Sequence, residues 1–188
     1  DRTLSLVYQA LAANSTQVLP MGAAATSTVR LNFYPTKDPL AEHERLDAGA
    51  LGNMALHHHT DPGILTLLLQ DLTGGLQTLT ADQHWVDVPP QAGTIVVNLG
   101  DAMQVWSNDA YRAAIHRVTP RNRAARYSTP YFYNPKSDAV LAPIASLTNE
   151  PPHFRPFTWR EYIKGRVDDN FTDLGVDDIQ IDRFRIAV

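Results

Sequence analysis

Apolar positions change their period along this chain, and each period predicts an element. Leu4, Val7, Tyr8 and Leu11 recur at helical spacing. Residues 1–13 therefore read as an amphipathic helix that Asp1 can cap and that Asn14 and Ser15 end. From Thr26 the β-formers take over, and Thr26–Tyr34 reads as a strand stopped by Pro35. Residues 36–56 keep neither period and read as a loop. Ile64–Leu69 is an apolar run of strand length, with Thr66 its one polar position, as expected where both faces are buried. Gly74-Gly75 is a hairpin signal ahead of Leu76–Thr80. Trp85–Val88, Thr94–Leu99, Ala113–Thr119 and Arg126–Tyr133 read as further strands, with Pro89-Pro90, Asn108-Asp109 and Pro120–Asn122 as turns between them. Thr158-Trp159-Arg160-Glu161 has capping-box spacing and predicts a helix over 159–168. Ile179–Val188 closes the chain as an extended tail.

Short strands at regular spacing, divided by Gly and Pro turns, predict a mainly β fold of sandwich or barrel type with flanking helices. No internal repeat, low-complexity tract or composition shift divides the 188 residues, so 1–188 reads as one domain.

Composition narrows the chemistry. There is no cysteine, which removes disulfides, thiolate metal ligands and thiol nucleophiles. Any metal must then be held by His, Asp, Glu or backbone groups. Lys+Arg number 16 against 20 Asp+Glu, a net charge of −4 that argues against a nucleic-acid partner. Arg121 and Arg123 read as a solvated turn. No apolar run reaches the roughly 18–20 residues of a membrane span.

Three clusters carry candidate chemistry. In His57-His58-His59-Thr60-Asp61, only His59 has a carboxylate two residues on. In extended backbone, positions i and i+2 share a face, so His59 and Asp61 can reach one metal ion. Pro62 biases Asp61 toward that geometry. His116 lies inside the apolar strand Ala114-Ile115-His116-Arg117-Val118 and, taken alone, reads as a satisfied core histidine. Arg126-Tyr127-Ser128 again places two polar side chains on one face, and alone reads as an edge-strand arginine. Together the three describe one site. Two histidines and one carboxylate on one face of a metal leave the opposite positions open, the facial arrangement of non-haem Fe(II) oxygenases. A 2-oxo acid can fill two of those positions and dioxygen the third. Its distal carboxylate then needs a cationic fork, which Arg126 with Ser128 offers.

The same residues carry a family resemblance from about Val29 to Pro143. Leu31-Asn32-Phe33-Tyr34-Pro35 comes first, followed by His59-Thr60-Asp61-Pro62-Gly63 and Leu65-Thr66-Leu67-Leu68-Leu69-Gln70-Asp71. Gly74-Gly75-Leu76-Gln77, Trp85-Val86-Asp87-Val88-Pro89-Pro90 and Val97-Asn98-Leu99-Gly100-Asp101 follow in order. Trp106-Ser107-Asn108, His116-Arg117-Val118 and Arg126-Tyr127-Ser128 complete the set. In this combination and order the chain resembles the plant-type 2-oxoglutarate/Fe(II)-dependent dioxygenases, the superfamily of flavonoid and gibberellin oxidases and isopenicillin N synthase.

The resemblance implies a double-stranded β-helix, or jelly roll, with Fe(II), 2-oxoglutarate and dioxygen as cofactor and co-substrates. It implies that His59, Asp61 and His116 hold the iron. Tyr34 and Asn32 are expected to bind 2-oxoglutarate beside Arg126 and Ser128, and Arg30 and Phe132 to face the primary substrate. The implied reaction hydroxylates, desaturates or cyclises a small organic molecule and releases succinate and carbon dioxide. The expected setting is a cytoplasmic monomer. Members of the family carry a longer stretch ahead of the Asn-x-Tyr-Pro strand, so the chain is expected to be the catalytic core without that portion. Two alternatives stay open: an Fe(II) oxidase of the same superfamily that needs no 2-oxoglutarate, and a non-enzymatic metal-binding jelly roll.

Overall fold

The computed structural model describes residues 2–10, 26–36, 56–119, 124–171 and 180–187. The expected stop of the first helix at Asn14-Ser15, most of the 36–56 loop and the Arg121–Arg123 turn lie outside the described residues.

Strand by strand, the chain passes back and forth between two sheets. One holds β1 (Thr28–Val29), β2 (Asn32–Tyr34), β4 (Leu65–Gln70), β7 (Val96–Leu99) and β9 (Arg126–Tyr133). The other holds β3 (Leu56–His59), β5 (Leu76–Leu79), β6 (Trp85–Asp87) and β8 (His116–Val118). All pairings among the described residues are antiparallel, and a small pair, β10 (Val140–Leu141) and β11 (Phe157–Thr158), stands apart. Leu68 of the first sheet packs with Leu76 and Val118 of the second, so the two inner faces meet. This is the jelly roll expected from the sequence.

Two strand expectations change in detail. Thr26–Tyr34 forms two short strands, yet both keep one register against β9, with Thr28 opposite Phe132 and Asn32 opposite Ser128. The interruption sits at Arg30, whose N–H donates to the Pro130 carbonyl at 3.0 Å. Proline has no N–H to return, so the ladder breaks there. The second correction concerns Gly74-Gly75. Both glycines have positive φ, 83° and 95°, but β4 and β5 do not pair with each other. The turn carries the chain from one sheet to the other. The hairpin comes one step later, where β5 pairs with β6. A local turn signal marks a reversal, whereas tertiary packing decides whether the flanking strands become neighbours.

The main core lies behind the first sheet. Leu65, Tyr133 and Ile64 meet the helices there: Leu4 of α1 (Arg2–Ala10), Met103, Val105 and Trp106 of α2 (Asp101–Trp106), and Trp159 and Tyr162 of α3 (Trp159–Phe171). α3 begins as predicted, with the Glu161 N–H donating to the Thr158 hydroxyl at 3.1 Å. α2 was not expected. It is six residues long and buried on every side, so it shows no amphipathic period. The predicted extended tail is also corrected. Ile181–Phe184 is a 3₁₀ turn, and Ile181 and Phe184 enter the main core. Phe184 stacks on Phe157 at 3.8 Å. Arg185 forks onto Asp109 at 2.8 and 3.0 Å and locks the tail down.

Candidate metal centre

The end of β3 faces β8, with His59 directly opposite His116. Asp61 follows two residues after β3 has ended, so the shared face survives although the strand does not. The three candidate ligand atoms lie within 4.8 Å of one another. Asp61 Oδ1 stands 3.8 Å from His59 Nε2 and 3.7 Å from His116 Nε2. Those separations are too long for hydrogen bonds and leave room for an ion between the three groups. Asp61 is 4% exposed and its Oδ2 meets no hydrogen-bond partner. A buried carboxylate oxygen left unpaired is costly unless something binds it. His116 Nδ1 lies 2.9 Å from the Ala114 carbonyl. A carbonyl can only accept, so Nδ1 carries the proton and Nε2 turns its lone pair to the site. Two imidazoles and one carboxylate, with no thiolate, suit Fe(II).

Backbone packing holds this corner. The Asp101 N–H donates to the Asp61 carbonyl at 2.9 Å, and Gly100 lies against the same stretch. A Cβ on Gly100 would come within 2.7 Å of that carbonyl and closer still to the Gly63 carbonyl, so only glycine fits. Around it is a buried polar brace that the sequence reading did not identify. Asp101 accepts from Thr60 at 3.1 Å and from Tyr162 at 2.5 Å. Arg166 reaches the Thr60 carbonyl at 3.0 Å and stands 3.9 Å from Asp101. Thr60 lies between His59 and Asp61, so the brace grips the segment that presents both. Burial pushes the Asp101 carboxyl up to about 6, against the pull of Tyr162, Arg166 and Thr60. No local pattern joins residues 60, 101, 162 and 166, which is why sequence alone missed them.

The arginine cluster lies on the inner face of the other sheet. Pairing places Tyr34 opposite Arg126, and Asn32 opposite Ser128, which is in turn opposite Gln70. Arg126 is 3% exposed. Its Nη1 donates to Ser128 Oγ at 3.2 Å and its Nη2 to Gln70 Oε1 at 3.1 Å, while Nε has no partner. The guanidinium lies 4.9 Å from the centre of the Tyr34 ring. Ser128 Oγ also accepts from Asn32 Nδ2 at 3.4 Å, so its own hydrogen is left to donate. Asp71 pins the start of β9 by accepting the Tyr127 N–H at 2.5 Å. Burial opposes it, but that bond and those from Thr73 hold its carboxyl below the usual range. A buried cation, an unmatched guanidinium N–H and a free hydroxyl hydrogen on one face are what an incoming carboxylate requires.

One cavity joins the two clusters. His59, Asp61 and His116 line it together with Arg126, Ser128, Tyr34 and Asn32, and Arg30 and Phe132 line it as well. Every candidate residue of the sequence reading therefore faces one space. Thr66 and Asn98 also line it and were not anticipated. They pair across β4 and β7, and Thr66 lies opposite Phe132. The period-two alternation of Thr66 with Leu68, and a lone Asn in an apolar strand, were the available signals. His58 is exposed, with its ring 6.4 Å from Trp85, and is not part of the three-residue group.

Fold and site together define a class: a double-stranded β-helix protein with a two-histidine, one-carboxylate centre. Comparison with known proteins agrees. The family model of the 2OG-Fe(II) oxygenase superfamily matches residues 25–135, and the chain belongs to that superfamily. Its cofactors are thus Fe(II) and 2-oxoglutarate. The chain is 38% identical over 149 residues to the 2-oxoglutarate-Fe(II) type oxidoreductase hxnY of Emericella nidulans, covering 78% of this chain and 41% of that protein. It is 35% identical over 145 residues to gibberellin 3-beta-dioxygenase 1 of Arabidopsis thaliana, covering 76% and 38%. The dioxygenase for auxin oxidation of rice superposes with a TM-score of 0.73 at 27% identity, over 98% of this chain and 58% of that one. The chain thus spans about two fifths of the length of these curated relatives. Among the described residues no helix is long and apolar enough to cross a membrane.

Proposed function

We propose that the described residues form the catalytic core of an Fe(II)- and 2-oxoglutarate-dependent oxygenase acting on a small organic substrate. One observation carries this reading. The buried carboxylate and the buried guanidinium each keep an unpartnered atom, and both line a single cavity. His59, Asp61 and His116 hold the iron, and Asp61 supplies the only charge in that set. Arg126 and Ser128 receive the distal carboxylate of 2-oxoglutarate. Tyr34 packs against the guanidinium, and Asn32 turns the Ser128 hydroxyl toward the ligand. Phe132 and Arg30 face the primary substrate. Bound iron supplies the activation of dioxygen. The protein orients the two organic partners and excludes water from between them. In the hydroxylating outcome, one oxygen atom enters the substrate C–H bond and the other enters succinate, as 2-oxoglutarate loses carbon dioxide.

The test uses the full-length protein with Fe(II), 2-oxoglutarate and a substrate panel, measuring succinate against oxygen consumed. Succinate forms in step with oxygen uptake, and Asp61→Ala abolishes both. Substrate oxidation that runs equally well without 2-oxoglutarate would transfer the protein to the oxidase alternative.

A further inference from the structure

We propose that the primary substrate is an organic carboxylate, and that Arg30 receives its charge at the end of the cavity opposite Arg126. This rests on the function proposed above and adds the class of molecule the site selects.

The inner face of β9 provides the scale. Arg126, Ser128, Pro130 and Phe132 alternate along it, and all four line the same cavity. At roughly 3.3 Å per residue, the stretch from Arg126 to Phe132 spans roughly 20 Å. Each end of that span carries a guanidinium. Arg126 is enclosed at one end. At the other, solvent-facing end, the exposed Arg30 places its guanidinium over the Phe132 ring, 5.7 Å from its centre. Among the described residues no carboxylate pairs with Arg30, and its ring contact is its one side-chain interaction. Its carbonyl also lacks the return bond that Pro130 cannot make. Among the described residues, Arg30 is thus a cation on the cavity wall with no side chain to neutralise it.

Charge accounting then indicates what is missing. Fe(II) brings two positive charges and 2-oxoglutarate two negative ones. Asp61 contributes one negative charge, Arg126 one positive, and the two histidines bind metal as neutral rings. Those groups cancel. Among the described residues that line the cavity, the remaining charged side chain is Arg30, which leaves one surplus positive charge on that lining. The wall beside it is apolar, formed by Phe132, Pro130 and Leu68, with Thr66 and Asn98 as polar points. A compact apolar body bearing a single carboxylate matches that lining.

A rival cation exists. Arg112 lines a second, more open cleft that also reaches His59. That cleft contains neither Asp61, His116 nor Arg126, so a ligand held there faces only one of the three candidate ligands. Arg112 therefore serves as the control.

The experiment screens a charge-balanced set of cyclic fragments by ligand-observed NMR against the full-length protein loaded with Mn(II) and 2-oxoglutarate. Each carboxylic acid is paired with its primary amide and its methyl ester. 2-Oxoglutarate affinity is measured on the same samples. In the wild type, acids bind and their amides and esters bind roughly tenfold more weakly or not at all. Arg30→Gln removes that preference and leaves 2-oxoglutarate affinity unchanged, whereas Arg112→Gln changes neither. The proposal is overturned if acids show no advantage, if no acid binds, or if Arg112→Gln and not Arg30→Gln abolishes the preference. Loss of 2-oxoglutarate binding in the wild type would instead overturn the proposed function. The comparison of acid with ester would still read Arg30 in that case.

Discussion

Two buried polar regions of this molecule lie a few residues apart and are built in opposite ways. The brace of Thr60, Asp101, Tyr162 and Arg166 is bonded internally, and Asp101 accepts from two partners while Arg166 donates to a backbone carbonyl. In the cavity beside it, Asp61 Oδ2 and Arg126 Nε are just as buried and have no partner. A satisfied network stabilises the fold in which it sits. An unsatisfied one costs stability and is retained where a ligand completes it. The Asp109–Arg185 region, at the docked tail, belongs with the brace: Asp109 accepts from Arg185, His153 and Gln104. Between these two regions the difference separates scaffold from site without reference to any relative.

The largest effect that can break this contrast is at Asp61. Asp61→Ala abolishes metal binding and succinate formation, because two neutral imidazoles remain to hold the ion. The metal-free variant nevertheless melts at or above the wild-type temperature, since an unpaired buried carboxylate has been removed. Metal titration and thermal melting measure the two halves. A variant that is markedly less stable without metal would show that Asp61 belongs to the scaffold.

Next comes Arg126→Lys. Lysine keeps the charge and loses the planar fork, so 2-oxoglutarate binding weakens by about 1.5–3 kcal/mol while metal affinity holds. Calorimetric titration of each ligand checks this. Tyr162→Phe probes the other region. It strips one donor from buried Asp101 and costs about 1–3 kcal/mol of folding stability, read by denaturant unfolding. Recovery of wild-type stability on adding 2-oxoglutarate alone, without metal, would blur the division.

Smaller effects are expected at the tail. Asp109→Asn keeps the shape and loses the charge that holds Arg185, a partly exposed pair worth about 1 kcal/mol. Limited proteolysis should show the C-terminal turn released first. Asp109 also sets an acid limb. Burial alone would raise its carboxyl, but the bonds from Arg185, Gln104 and His153 hold it at about 2, below the unfolded value of 3.8. Its stabilisation is present above 3.8 and is lost as pH falls through about 2. Unfolding midpoints of the wild type should drop over that window, and those of Asp109→Asn should drop less.

Much of this protein could be read in one dimension because its signals are local. The apolar run at Leu65–Gln70, the strand pattern of Arg126–Tyr133, the capping residue Thr158 and the left-handed turn at Asn108-Asp109 each depend on neighbours in sequence. The i, i+2 pairs His59/Asp61 and Arg126/Ser128 were legible for the same reason, and their combination in order carried the family resemblance. Features that depend on distant partners were not legible. α2 is helical because Gly100 can press against Gly63 and because every side of the helix meets core. Gly74-Gly75 crosses between sheets because β5 finds β8 and β6, a choice no dipeptide encodes. The tail docks because Asp109 waits 76 positions away from Arg185. Local chemistry, then, determined which side chains could make a site. Only the close approach of two sheets decided that they share one cavity, which buried groups stay unpaired within it, and that Arg30 stands at its far end, because burial and partnership are properties of packing and have no counterpart along the chain.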